Sequence, residues 1–310
     1  MIGLRKWHLK ATVQKLLSLL PFGSTINFWM QKYVTRGVRL TDAYVNDRLI
    51  HARDHLKHFR SYGTTLNSTL EIGTGWYPII PLLLYLAGAR DIVTLDIKRF
   101  VTPKRLVNCL KMLSRLHKSG RLADFVDVLP ERIAALEQVL GMAGDRGVDE
   151  VLSDFSITYV IGDARSIPFP DGHFDLIHSN NTLEHIPEST FELILRELSR
   201  VGKPDGVHSH FVDMSDHFAH SDESITVYNF LKFSRRRWRI INNSIQYMNR
   251  LRLSDYRRLF TSAGYSIQEE RLRADRPEEL DTIQMHPEFA NNDRDELRVT
   301  HVHFVCKVAS

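Results

Sequence analysis

Two cysteines, Cys109 and Cys306, are all that the 310 residues contain. That leaves no disulfide framework and no cysteine-rich zinc site, and a reducing, cytoplasmic compartment is the expectation. No apolar run approaches the roughly 20 residues a bilayer crossing needs. No small-residue cleavage site follows the N-terminal leucines, so neither a membrane span nor a secretory signal is expected. A Walker glycine loop ending in Lys-Ser or Lys-Thr is missing too, which removes support for nucleoside triphosphate hydrolysis. Acids are missing from residues 1–41, where Arg5, Lys6, Lys10, Lys15, Lys32, Arg36 and Arg39 stand unopposed.

What is present reads as globular: 43% apolar and 25% charged residues, enough for one large or two modest domains. The net charge of +4 is unevenly spread, because residues 232–258 hold nine basic side chains against Asp255 alone. Two basic patches on an otherwise acidic body imply anionic partners at particular places. In the first patch Leu9, Val13, Leu16, Leu17 and Leu20 recur at helical spacing among lysines until Pro21. Such a basic amphipathic helix either caps the main domain or lies on an anionic membrane, with Trp7, Phe28 and Trp29 at headgroup depth. Tyr33 belongs to the same aromatic group.

From residue 68 the texture becomes strand, turn, helix, strand. Ser68 to Ile72 leads into Gly73-Thr74-Gly75, Pro78 to Leu86 reads as a helix, and Asp91 to Asp96 is a second strand closing on an acid. This is a βαβ unit with a glycine turn, the layout that places a ligand at the carboxyl ends of a parallel sheet. Further strands are expected over Thr158 to Asp163, Phe174 to Ser179, Val207 to Met214, Tyr265 to Leu272 and Val299 to Val308, and helices over Leu193 to Val201 and Ser254 to Ala263. The last two strands, joined without a clear crossover helix, predict an antiparallel finish.

The run Leu70-Glu71-Ile72-Gly73-Thr74-Gly75, Asp96, Gly162-Asp163-Ala164, and Phe174-Asp175-Leu176-Ile177 followed by Asn181-Thr182-Leu183-Glu184-His185-Ile186 resembles the class I S-adenosylmethionine-dependent methyltransferases of small molecules. Each motif alone is weak, whereas four in order are specific. The resemblance implies a Rossmann-like α/β fold: a mostly parallel twisted sheet with helices on both faces and an antiparallel last strand. It spans roughly residues 66–214 and resumes from 254, which implies a domain over 66–310 with a basic aromatic insertion at about 215–253, after an N-terminal helical cap at 1–65. It also implies S-adenosylmethionine as cofactor. Gly73, Thr74 and Gly75 would form the close-approach turn, Glu71 would orient the methionine end, and Asp96 would accept from both ribose hydroxyls. Asp163 and the Ala164 amide would meet the adenine, the Asn180 backbone the amino group, and His185 the cofactor floor. A third glycine is replaced, since Pro78 follows Tyr77. The same substitution argues against a nicotinamide-dependent oxidoreductase, which shares the strand, glycine turn and acid. A non-catalytic binding subunit on the same fold is the other alternative.

Methyl transfer from a sulfonium needs positioning more than a displayed nucleophile. A hydroxyl acceptor gains from a general base, and His217, with His220 next, is expected in that role because both follow the fifth strand. With Asp213, Asp216 and Asp222 they could also hold a divalent metal, although no fixed ligand motif marks one. The pairs His208 and His210, and His301 and His303, read as sheet packing. In the insertion Tyr228, Phe230, Phe233, Trp238 and Tyr247 alternate with arginines, a mixture that stacks nucleobases or forms a lid. No Asn-Pro-Pro-Tyr-like motif supports a nucleic acid substrate. A small-molecule, glycan or lipid-linked acceptor, with an anionic group among the options, is expected instead, with O-methylation as the reaction and peripheral contact with an anionic membrane.

Overall fold

In the computed structural model, which describes residues 6–20 and 39–309, the strand and helix texture closes into one seven-stranded sheet in the order β3-β2-β1-β4-β5-β7-β6. The strands are β1 (Ser68–Ile72), β2 (Asp91–Asp96), β3 (Ile157–Ile161), β4 (Phe174–Asn180), β5 (Gly202–Asp213), β6 (Tyr265–Arg273) and β7 (His301–Val308). The first five run parallel, and β7 runs antiparallel to both β5 and β6. Every residue of β1 and β4 is buried, as strands covered on both faces must be. The chain reverses its winding between β1 and β4, which places a crevice beyond Ile72 and Asn180.

One face of the sheet carries α7 (Glu188–Val201) and α9 (Leu253–Ser262), whose Leu195, Leu198, Leu259 and Phe260 are fully buried. The other carries α2 (Asp42–Tyr62) and α3 (Ile79–Leu86), backed by α4 (Pro103–Lys118) and α5 (Pro130–Met142). The turn Val148–Ser153, α6, leads into β3. All eight residues of α3 are buried, an apolar run that Pro78 begins. At the opposite end from the crevice, the Asp175 carboxylate accepts from the Asn67 and Ser68 amides and from Lys203 Nζ, at 3.0, 2.8 and 2.6 Å. This ties the starts of β1 and β4 together.

The insertion builds a second small core. Phe218, Tyr228, Phe230, Phe233 and Trp238 are buried together, so these four inner aromatics after Phe218 form packing and not an exposed stacking platform. The nucleobase reading of the insertion is corrected on that ground. Two of its arginines also turn inward. Arg252, 1% exposed, donates to the Met214, Leu297 and Val299 carbonyls at 2.6, 3.0 and 2.5 Å, and Arg250 lies between the Trp238 and Phe289 rings. The exposed charge is concentrated on α8 (Arg235–Ile241), which carries four arginines.

Helix α1 (Lys6–Ser18) docks on this insertion through Trp7, Ala11 and Gln14. The Trp7 amide donates to Asp222 at 2.8 Å, and Lys15 Nζ donates to the Arg239 and Asn242 carbonyls at 3.2 and 2.8 Å, where α8 ends. Trp7 is therefore buried against Phe218 and Phe233 and is not available at headgroup depth. Packing through that face leaves Leu9, Leu16 and Leu20 pointing outward. Phe28, Trp29 and Tyr33 lie outside the described residues.

Between α2 and the sheet runs a layer of imidazoles. His51, His55 and His58 share one helix face by their i, i+4, i+7 spacing and meet His178, Ser209 and His303. The Ser209 hydroxyl lies 2.8, 3.0 and 2.9 Å from ring nitrogens of His55, His58 and His303. Its bonding closes with neutral rings: His55 donates to Asn180 Oδ1 at 3.0 Å and accepts from Ser209, which in turn accepts from the other two. Burial pushes His55 and His303 well below the usual histidine value, His58 to about 4 and His178 to about 3. On the other face burial likewise lowers His208, and His210 to about 3.

An imidazole lowered in the folded chain stays neutral while the unfolded chain, at about 6.5, takes up a proton. Its contribution to stability is complete above about pH 6.5 and is lost as pH falls toward the folded value. Glu71, Glu184 and Asp216, raised by burial to about 7, 8 and 6, act in the opposite sense but are outnumbered. Stability should thus fall between about pH 6.5 and 5, with each of the six histidines contributing up to ~1.4 kcal/mol per pH unit. Urea midpoints measured across that range check the point, and a flat profile would contradict the neutral layer.

Candidate cofactor and acceptor site

The glycine turn after β1 has the geometry its sequence calls for. Gly73 at φ 87° and Gly75 at φ 65° occupy the left-handed region. A Cβ on Gly73 would run into the Thr182 side chain from the loop after β4, so this glycine lets the two loops touch. A Cβ on Gly75 would meet nothing within 4 Å, and that amide borders open space. Beneath the turn Glu71 is buried and accepts from Thr94 at 2.7 Å, while Thr94 also meets the Thr74 hydroxyl at 2.5 Å. Burial pushes the Glu71 carboxyl up to about 7.

Asp96 closes β2 and accepts from the Gly75 amide at 3.0 Å. A carboxylate has about four lone-pair directions, so room remains for two hydroxyl donors. Its pKa is raised, burial outweighing the amides of Gly75, Lys98 and Ile97. The Gly162 amide donates to the Asp96 carbonyl at 3.0 Å, which brings the Gly162-Asp163-Ala164 turn beside it. Ala164 is buried; Asp163 is exposed and clamped by Arg165 at 2.5 Å, which holds its carboxyl below the usual range. Asn180 is buried at the end of β4 with Oδ1 committed to His55 and Nδ2 without a hydrogen-bond partner. Its carbonyl accepts from Thr182 at 3.0 Å.

The sequence reading passed over Arg48. It projects from α2, is the nearest cation acting on Glu71, and has a buried Nε without a hydrogen-bond partner. The unpartnered Asn180 Nδ2, with the buried acid Glu71 and the Arg48 guanidinium, whose Nε stands 3.7 Å from Asp47, suits an amino acid moiety that brings its own carboxylate and ammonium. The turn, the acid after β2 and these groups therefore fit S-adenosylmethionine.

Next to the Asn180 end of β4 is a cavity of about 700 Å3 bordered by Asp47, Asn181, Phe211, Asp213, Ser215 and His220. Of the two histidines expected as bases, His220 borders this cavity and is half exposed, 3.8 Å from Asp213. His217 is buried behind it, its ring 5.0 Å from that of His220 and Nε2 3.3 Å from Asp213 Oδ2. Burial would lower His217, but Asp213 raises it; burial lowers His220. His185 does not meet the glycine turn: its Nδ1 donates to the Tyr247 carbonyl at 2.6 Å and its ring stands against His217. The proposed acidic ligands do not assemble either, since Asp216 bonds Asn229 and the Phe218 amide, and Asp222 bonds Trp7 and Ser224. A second cavity, of about 850 Å3, lies by α8 and is bordered by Lys15, Arg235, Arg239 and Arg250.

Comparison with known proteins supports the same frame. Residues 112–209 match a family model described as a methyltransferase domain. A 78-residue stretch is 37% identical to a 2-phytyl-1,4-naphtoquinone methyltransferase of Synechococcus elongatus, covering 25% of this chain and 32% of the relative. Another of 112 residues is 31% identical to a demethylmenaquinone methyltransferase of Anoxybacillus flavithermus, covering 34% and 46%. The chain thus spans between a third and a half of the length of these curated relatives. Among solved structures, a protein from Pyrococcus horikoshii OT3 is 11% identical with a TM-score of 0.48, over 87% of this chain and 92% of that one. An S-adenosylmethionine-dependent methyltransferase from Methanosarcina mazei is 14% identical with a TM-score of 0.43, over 81% and 96%. The strand order, the glycine turn and the matched segment make the chain similar to S-adenosylmethionine-dependent methyltransferases over part of its length.

Proposed function

We propose that the protein methylates a hydroxyl of a small acceptor, lipid-linked or glycan-like, taken from an anionic membrane surface. The observation that carries this reading is placement: the glycine turn follows β1, and the cavity borders the carboxyl ends of the neighbouring β4 and β5. When bound, the cofactor supplies an electrophilic methyl on a sulfonium. Asp96 holds the ribose, Gly75 leaves room for it, and Glu71 with Arg48 anchors the amino acid end. His220 takes the hydroxyl proton at Nε2, and Asp213 stabilises the resulting imidazolium. His217, packed behind, positions that pair.

The acceptor class rests on the surface beside the basic cleft. Leu9, Leu16, Leu20 and Ile240 are 57, 60, 52 and 69% exposed, and Leu16 and Ile240 border one shallow groove with Arg237. An apolar ridge beside four arginines suits an anionic bilayer. One curated relative is named for a phytyl-bearing naphthoquinone, which is consistent with an apolar tail on the acceptor.

Calorimetric titration with S-adenosylhomocysteine tests the cofactor site: Asp96→Ala should weaken binding by roughly 1.5–3 kcal/mol, the range for hydrogen bonds to a charged group. Unchanged affinity would remove Asp96 from the site. For the base, His220→Ala should lower turnover by about 10² to 10⁴ while cofactor affinity is kept; turnover within a few-fold of wild type would exclude His220. Membrane contact is read by co-sedimentation with anionic vesicles. The wild-type chain should pellet at low salt, and the double variant Leu16→Glu, Leu20→Glu should stay in solution. Equal behaviour of the two would eliminate the leucine ridge as a membrane surface.

A further inference from the structure

Glu184 is a buried carboxyl that the described residues leave without a cation in direct contact. It sits in the short turn Leu183–His185 after β4, 3% exposed, and neither carboxylate oxygen has a hydrogen-bond donor. Leaving a carboxylate buried and unpaired costs several kcal/mol, so such a group ordinarily has a cation or donors beside it. The nearest suitable atoms are imidazole nitrogens. One ligand atom from each of Glu184, His185 and His217 lies within 4.8 Å of the others.

His185 is prepared as a ligand, and His217, which Asp213 favours in its protonated form, would give up that proton to an ion. His185 gives its Nδ1 proton to the Tyr247 carbonyl at 2.6 Å, which leaves Nε2 as a lone pair, the arrangement that fixes the tautomer of a metal-bound imidazole. His217 Nε2 is buried, 3.3 Å from Asp213 Oδ2 but not aligned for a hydrogen bond. The other histidine group, His55, His58 and His303, differs because Ser209 already satisfies the nitrogens that converge there.

The geometry points to a divalent transition-metal site formed by Glu184, His185 and His217, with Asp213 as the adjoining carboxylate that links it to the acceptor cavity. Two imidazoles and a carboxylate suit zinc, manganese, iron or cobalt and discriminate against calcium and magnesium. Tetrahedral bonds of about 2.0–2.2 Å set ligand atoms roughly 3.4 Å apart, a separation that side chains within 4.8 Å of one another reach by small adjustments. Three protein ligands leave a position open for an acceptor oxygen. On the methyl-transfer reading, on which this last role rests, the metal-held oxygen forms its bond to the methyl carbon. The carbon–sulfur bond breaks with its electron pair going to sulfur, and the hydroxyl proton passes to His220.

The full chain, stripped with a chelator and dialysed, is titrated with Co2+, Zn2+, Mn2+ and Mg2+, following heat and the Co2+ absorption bands. One Co2+ or Zn2+ per chain is expected, with Mg2+ binding far weaker. Glu184→Gln and His217→Gln should weaken Co2+ binding by about 100-fold or more, with S-adenosylhomocysteine binding showing that each variant is folded. His58→Asn should leave the stoichiometry at one. Absence of binding, unaltered binding in the folded Glu184→Gln chain, or loss of the ion in folded His58→Asn would overturn the site. A chain that binds the metal but not S-adenosylhomocysteine would sink the methyl-transfer reading and leave the site standing; the reverse result would do the opposite.

Discussion

A layer of uncharged imidazoles between α2 and the sheet is the constraint on which the crevice depends. An apolar helix face would have sealed that side with leucines; here His55 bridges Ser209 in β5 to Asn180 at the tip of β4. The bridge fixes the Asn180 amide with its oxygen inward, so its Nδ2 is the group left without a partner. The Ser209 hydroxyl can donate once, and three converging imidazoles leave it one arrangement, in which His55 accepts. A proton added to His55 would set three donors on one oxygen. Helix α2 therefore reports the protonation of its own histidines to the strand end that the cofactor reading uses.

The second dependence is between loops. Gly73 has no Cβ, and Thr182 fills the space one would occupy, so the loops after β1 and β4 are packed against each other across the switch point. Thr182 also bonds the Asn180 carbonyl, and two residues further the chain delivers Glu184 into the interior. A single contact thus sets the cofactor turn on one side and the Glu184 turn on the other. Asn181 at φ 50° makes the tight exit from β4 possible.

The strands and the glycine turn were legible because their signals are local: alternation, a Gly-x-Gly, an acid at a strand end. β1 and β2 fall where the sequence placed them, and the antiparallel finish is present, with β7 entering between β5 and β6. The helix over 42–62 fell inside the expected helical cap without being delimited, and those over 103–118, 130–142 and 148–153 were not read. In α2 the buried face alternates Val45, Leu49, Ala52, Leu56 and Phe59 with three histidines, so its apolar stripe is narrow and interrupted by polar rings. At the site, legibility ended where side chains meet across the chain. Arg48 reaches Glu71 from another element, and Glu184 reads as one acid in a turn until the fold brings His217 beside it. The expected acids Asp216 and Asp222 carried a plausible spacing, but local amides and Trp7 take their oxygens. Spacing in a loop does not reveal which partner arrives first.

The insertion shows why charge in a sequence is a poor guide to charge on a surface. Nine basic residues between 232 and 258 read as one patch, yet Arg252 is buried with its two terminal nitrogens on carbonyls and Arg250 is held by two rings and two carbonyls. Enclosing a guanidinium is tolerable where its donors are matched by backbone acceptors, and Arg252 thereby fastens the end of the insertion to the segments flanking β7. Arg257 and Arg258 pair with Glu270 and Glu188. The exposed basic charge then reduces mainly to α8, and α1 docks beside it with its leucines outward. A helix held by its polar and aromatic face is an inversion of the usual amphipathic arrangement, since apolar side chains left in water gain nothing from folding. The four arginines of α8 lie alongside that ridge, so apolar surface and positive charge share one side of the insertion.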